Sequence, residues 1–262
     1  MNIDLGTKRA LVCGASKGIG RAAARELAAL GAAVTLIARD EKTLRTVQAS
    51  LDARGGQSHQ ILAADFSNPT TLQEKITAHI AAHGPFHILI NNSGGPPAGP
   101  VHTATLEDFQ KIFTQHLLGN HIMMQAALSG MKAERYGRII NIISTSVKQP
   151  IKGLGVSNTI RGAVASWAKT LSGEVASFGI TVNNILPGST DTDRMAEIIT
   201  GKVARTGKSK EEVFAEEIAA IPAGRFATPE ELAQAIAFLA SPAAAYINGI
   251  NLPVDGGRTG CL

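Results

Sequence analysis

The sequence predicts an α/β protein: a parallel sheet with helices packed on both faces. Three observations lead there. Short apolar runs alternate with longer segments of helical period along the whole chain. Those runs are apolar at nearly every position, as burial on both faces of a sheet requires. The first of them opens into a glycine-rich turn that leads straight into a helix. Strands separated by helices imply right-handed βαβ units. No linker, repeat or low-complexity tract breaks the pattern, so residues 1–262 read as one domain.

Each element has its own signal. RALVC (Arg9 to Cys13) is a buried strand, and Gly18 to Leu30 is an alanine-rich helix that Gly31 stops. AVTLIA (Ala33 to Ala38) is the second strand and Glu41 to Arg54 the second helix. SHQILAA (Ser58 to Ala64), a helix near Thr70 to His83, and HILIN (His87 to Asn91) continue the alternation. A helical stretch covers Leu106 to Lys132, and RIINIIS (Arg138 to Ser144) is the next strand. A long helix follows from about Ser157 to Phe178, then ITVNNIL (Ile180 to Leu186) as strand. Two polar helices fill Asp191 to Ile221, and a helix from Pro229 to Ala240 precedes a last strand near Gly249 to Leu252.

Composition narrows the function. Of the 262 residues 44% are hydrophobic and 18% charged, which supplies a core and excludes a disordered chain. The net charge is +4, but the cations are scattered and aromatics make up only 4%. The basic groove and stacking platforms of a nucleic-acid binder are therefore missing. No stretch approaches the ~18 uninterrupted apolar residues of a membrane span. The opening MNIDLGTKRALVC lacks the marks of a secretory leader, and the two cysteines, Cys13 and Cys261, are too few for a disulfide framework. A cytoplasmic protein with a small-molecule ligand is the expectation.

The first strand runs into Gly14, Ala15, Ser16, Lys17, Gly18, Ile19 and Gly20 before the helix begins. Such a turn lets backbone N–H groups approach a phosphate at the positive end of a helix. Glycine turns also serve structural βα corners; the strand before and the helix after are the context that favours the phosphate reading.

Together with CGASKGIG at this turn, NNSG at 91–94, LPG at 186–188 and INGINLPVDGG near the end, the chain resembles the short-chain dehydrogenase/reductase family, most closely its 3-oxoacyl-ACP-reductase-like branch. The resemblance implies a single-domain Rossmann fold, with a seven-stranded doubly wound sheet in the order 3-2-1-4-5-6-7. It also implies a nicotinamide coenzyme, a carbonyl or alcohol substrate, possibly in the form of an acyl thioester, and a homotetramer or homodimer. Lys17 in the turn and Arg39 after the second strand suit the 2′-phosphate of NADP(H), since a carboxylate there would instead bind a 2′-hydroxyl. Position 38, often aspartate in NAD-dependent relatives, is Ala38, and Asp40 is expected to face solvent at the start of the helix. The alternative is that Lys17 and Arg39 are plain surface charges. By the same resemblance Asp65 and Phe66 flank the adenine, Asn92 and Gly94 line the ribose, and Pro187 follows the sixth strand into the site. Ser16, Ile19 and Gly20 complete the cradle.

The family's chemistry rests on serine, tyrosine and lysine, assisted by asparagine. Ser144 fits the serine position. Where Y-x-x-x-K belongs, the chain reads Ser157, Asn158, Thr159, Ile160, Arg161. The asparagine slot holds His116. Only two tyrosines occur, Tyr136 before a strand and Tyr246 in a framework position before the last one, and neither is placed to replace the missing phenol. Serine is far less acidic than a phenol of pKa ~10, and arginine stays protonated. His116, Lys148 or Lys152 in the following loop, or a water between Ser144 and Arg161 are the candidate proton sources. The competing reading is a helix that has lost its catalytic role, with Ser157 a plain N-cap.

Three lesser features complete the reading. GGPPAGP (Gly94 to Pro100) forms a wall of the substrate cleft. The resemblance implies a substrate lid at about 189–226, where Lys202, Arg205, Lys208 and Lys210 either keep an exposed helix soluble, the favoured reading, or meet the phosphate of an acyl carrier or coenzyme A. His79, His83 and His87 follow at four-residue spacing, but no further ligand is patterned around them, so a solvated helix face and no metal are expected.

Overall fold

The computed structural model describes residues 1–96 and 98–261. The strands are β1 (Arg9–Cys13), β2 (Ala33–Ala38), β3 (Gln60–Ala63), β4 (Ile88–Asn91), β5 (Gly137–Ile142), β6 (Ile180–Pro187) and β7 (Asn251–Val254). They form one parallel sheet in the order β3-β2-β1-β4-β5-β6-β7. The helices are α1 (Gly18–Ala29), α2 (Glu41–Ala49), α3 (Pro69–His83), α4 (Leu106–Phe113), α5 (Gly119–Ala133), α6 (Gly155–Val175), α7 (Asp193–Thr206), α8 (Lys210–Ala219) and α9 (Pro229–Ala240).

Alternate strand residues face opposite sides of the sheet, and each side has its own helices. Ala10, Val12, Val34, Leu36, Ile88 and Ile90 pack with α1, α2 and α9. Leu11, Ile37, Leu89, Ile139 and Val182 pack with α3, α5 and α6. No helix among the described residues is long and apolar enough to cross a membrane.

Several local expectations change. The second helix stops at Ala49 rather than Arg54, because Gly55 and Gly56 follow in a turn. The stretch from Leu106 to Lys132 is two helices joined by a π-helical turn over Thr114–Leu118, a distortion common at functional sites. The long helix starts at Gly155 with Leu154 as N-cap, so Ser157 lies inside the first turn and caps nothing. His79 and His87 are buried, not solvated: His79 bonds Thr35, and His87 Nδ1 accepts the Arg9 N–H. They are core histidines at the amino-terminal end of the sheet. Tyr246 is fully exposed rather than part of the framework.

One polar feature crosses the core. Asn91, Asn141, Asn184 and Asn251 stand level on β4 to β7. Their side chains form a ladder: Asn91 Nδ2 donates to Asn141 Oδ1 (2.9 Å), Asn141 Nδ2 to Asn184 Oδ1 (2.8 Å), and Asn184 Nδ2 to Asn251 Oδ1 (2.8 Å). Parallel strands have no hairpin to set their register, and this row pins it at the carboxyl edge. Asn141→Leu leaves a donor and an acceptor unpaired in the core. A loss of about 2–6 kcal/mol is expected in denaturant unfolding, from two buried groups at about 1–3 kcal/mol each.

Candidate active site

The carboxyl ends of the strands open into a cleft of about 480 Å³, walled on its far side by α7. The glycine turn forms one end. Gly14 and Gly18 have φ of +61° and +54°, and a Cβ on Gly20 would lie 2.2 Å from the Gly14 carbonyl oxygen. Gly20 therefore allows close packing beneath the turn, while Gly14, Ser16, Lys17, Gly18 and Ile19 line the cleft. The N-terminus of α1 has no side-chain cap and no acidic residue in its first turn. Its free N–H groups fit an anion such as the diphosphate of a dinucleotide.

Arg39 and Asp40 follow β2 at the cleft rim. Asp40 is spent as the cap of α2, where its carboxylate accepts from the backbone and hydroxyl of Thr43, bonds that hold it below the usual carboxylate range. Arg39 is the exposed charge at that corner. Lys17 meets Asp193 at 3.0 Å across the cleft mouth, with both side chains well exposed. Such a pair holds weakly and yields to a ligand phosphate. Asp65 accepts the Ser67 N–H, and Phe66 lies against Gly119. Asn92 Nδ2 donates to the Cys13 and Gly14 carbonyls, tying β4 to the glycine turn. Gly94 and Pro187 also line the cleft.

The other end gathers Ser144, Ser157 and Arg161. Ser144 caps a single 3-10 turn over Thr145–Val147, its Oγ accepting the Ser146 N–H at 3.0 Å. That bond leaves the Ser144 hydroxyl hydrogen for a ligand. Ser157 and Arg161 are one turn apart on α6, so both face the same side. Arg161 is buried, and its Nη1 donates to the Ile142 carbonyl at 3.0 Å. Burial, with a lesser contribution from the charge of Arg194, lowers its pKa to about 10, so it remains a cation at neutral pH.

His116 sits behind this wall, in the π-helical turn. Its Nε2 donates to the Gly94 carbonyl at 3.0 Å, which leaves Nδ1 to accept from the Ser93 hydroxyl at 2.9 Å. Burial, and secondarily the charge of Arg161, pushes its pKa down to about 3. At neutral pH both ring nitrogens of a neutral His116 are occupied in bracing the Ser93–Gly94 loop. Tyr136 lies at the opposite edge of the sheet and donates to Ala240. Sequence reasoning missed two residues here. Arg194 reaches the cleft from α7, and Ser93 bonds His116; each joins segments far apart in the chain.

A parallel sheet with an uncapped glycine-built phosphate seat and a serine-bearing far end defines a dinucleotide-dependent enzyme scaffold. A family model described as enoyl-(acyl carrier protein) reductase matches residues 14–259, and the chain belongs to the short-chain dehydrogenase/reductase family of oxidoreductases. It is 34% identical to the 3-oxoacyl-(acyl-carrier-protein) reductase FabG of Vibrio cholerae, over 97% of this chain and 98% of that protein. It is 32% identical to an inactive 2-(S)-hydroxypropyl-CoM dehydrogenase 2 of Xanthobacter autotrophicus, covering 90% of this chain and 99% of that one. Among solved structures, L-sorbose reductase of Gluconobacter frateurii, complexed with NADPH and L-sorbose, superposes with a TM-score of 0.92 at 29% identity over the whole of both chains.

The histidine makes stability depend on pH. Its folded pKa, about 3, lies below the ordinary 6.5, so the unfolded chain binds the proton more readily. The stabilisation is complete above pH 6.5 and is lost progressively as pH falls toward 3. His79, lowered to about 4 chiefly by burial, acts in the same direction. Unfolding free energy is expected to fall on acidification across that window, and His116→Asn to flatten the slope by up to about one proton.

Proposed function

We propose that the chain is an NADP(H)-dependent oxidoreductase that interconverts a carbonyl and a secondary alcohol. The observation that carries this reading is the opening of one cleft onto both the uncapped N-terminus of α1 and the Ser144, Ser157 and Arg161 group. When bound, the coenzyme supplies or accepts the hydride. Lys17 and Arg39 hold its 2′-phosphate, an assignment supported by the capping role of Asp40, and by the NADPH complex of the sorbose reductase. Residues 1–262 act as a single unit, with about 189–226 as the substrate lid.

Ser144 donates its hydroxyl hydrogen to the substrate oxygen. Arg161 holds the nicotinamide ribose and favours negative charge developing on that oxygen. Ser157 orders a water that relays a proton from bulk solvent to that oxygen, because a serine hydroxyl is far less acidic than a phenol. His116 contributes by fixing Ser93 and Gly94, the loop against which the ribose rests. A small carbonyl compound, or the 3-oxoacyl group in the name of the Vibrio relative, would present its carbonyl to Ser144 in this cleft.

A second reading has two observations behind it: among the described residues lining the cleft with Ser157 and Arg161 there is no tyrosine and neither Lys148 nor Lys152, and one relative with nearly full coverage is described as inactive. On that reading the chain binds the coenzyme with little turnover, as a sensor or assembly partner.

NADPH oxidation against ketones, diketones and 3-oxoacyl thioesters separates the two. Turnover that Ser144→Ala lowers by about 100- to 1,000-fold supports the enzyme; NADPH binding with no turnover supports the second reading. NADPH is expected to bind more tightly than NADH, and Arg39→Ala to weaken NADPH by about 10- to 100-fold, the worth of one charge-assisted phosphate contact. Equal affinity for the two coenzymes would remove the NADP assignment. The double change Ser157→Tyr, Arg161→Lys is expected to raise kcat by about 10²- to 10⁴-fold, the usual range for general acid catalysis.

A further inference from the structure

The charges lining the cleft are unevenly placed. Its carboxylates, Asp40 and Asp65, stand at the β2 and β3 end. Away from them the lining carries two cations, Arg161 of α6 and Arg194 of α7, and among the described lining residues there no carboxylate. A buried cation without a partner is costly, and among the described residues Arg161 bonds the Ile142 carbonyl alone. Arg194 is seated with some care. Its Nη2 donates to the Pro96 carbonyl, and its Nε rests where a side chain on Gly95 would be, 2.6 Å from the Cβ that residue lacks. Its Nη1 meets Glu197 at 3.2 Å, an exposed pair that competes weakly with a ligand. Of its five N–H donors, the bonds to Pro96 and Glu197 use two.

We propose that the carbonyl substrate carries a carboxylate, and that Arg194 is the residue that selects it. This rests on the oxidoreductase reading above and names the substrate class for the same site. The guanidinium of Arg194 accepts the acid group in a forked, charge-assisted pair, and Arg161 adds a second positive charge from behind. Both guanidinium groups line the same cleft, and the charge of Arg194 lowers the proton affinity of Arg161. The carboxylate takes no part in the redox step: hydride and proton add across the carbonyl, and the acid group leaves unchanged. Leu154, Met195 and Ile198 supply the apolar surface beside it.

The test compares 3-oxobutyrate with its methyl ester, which differ in charge and little else at the carbonyl. The acid is expected to show kcat/KM about 10- to 100-fold higher, from one desolvated charge pair. Arg194→Gln is expected to erase that preference through KM while leaving the NADPH Kd within about twofold, and Arg194→Lys to restore part of it. An ester reduced as well as the acid overturns the proposal while leaving the oxidoreductase reading intact. So does a preference that survives Arg194→Gln, or a loss that falls equally on NADPH binding, which would assign the arginine to the coenzyme phosphates. Should neither compound turn over, calorimetry with malonate, with and without NADP, still decides. Binding weakened about 10- to 100-fold by Arg194→Gln supports the carboxylate site even as the catalytic reading fails, and absence of binding overturns it.

Discussion

The cleft depends on the register of seven parallel strands, and the asparagine ladder is the contact that fixes four of them against one another. In a parallel sheet each strand arrives from a separate crossover, so nothing local fixes how far it slides against its neighbour. A one-residue slip would turn every side chain to the opposite face. Four amides in a row make the correct register the one in which the buried groups between Asn91 and Asn251 are paired. Asn92 follows directly on β4, the chain reaches Ser144 two residues after β5, and Pro187 ends β6. The ladder thus sets the height from which the coenzyme end and the reacting end face each other.

Around that frame the two ends of the cleft make different demands on the chain. The phosphate seat needs only backbone N–H groups, the absence of side chains at Gly14 and Gly20, and an uncapped helix end, and all are present. At the other end α6 presents Ser157 and Arg161. Arginine offers a planar, permanently charged fork where lysine would offer a compact ammonium. The buried fork is anchored by the Ile142 carbonyl at the end of β5. His116 sits behind that end. A neutral imidazole wedged between Ser93 and Gly94 fixes the loop beneath the site, and the cation of Arg161 nearby helps to keep it neutral.

The far wall is tied down from outside. Glu217 on α8 is buried between Lys202 of α7 and Arg258 beyond β7, and Arg258 also reaches Ser189. Burial pushes the Glu217 carboxyl toward protonation, yet its two cationic partners hold it below the ordinary value. Two helices that read as a polar surface are therefore fastened to the end of the sheet, and Arg194 is presented to the cleft from a braced helix.

By itself the sequence determined the order of strands and helices, the double burial of the sheet and the glycine turn. These are properties of neighbouring residues: an apolar period, a stop at Gly31, a run of glycines between a strand and a helix. The tertiary structure decided what depends on residues distant in the chain and on the withdrawal of water. Asn91 and Asn141 lie 50 positions apart, and Arg194 meets Pro96 across 98. His79 and His87 looked solvated because their spacing is that of a helix face, whereas the sheet edge and Arg9 bury them. His116 has the ordinary affinity of an imidazole for a proton as long as the chain is open, and packing behind Ser93 takes that affinity away. Local pattern fixes which backbone forms; only the closed structure fixes which charges lose their solvent and which partners stand in for it.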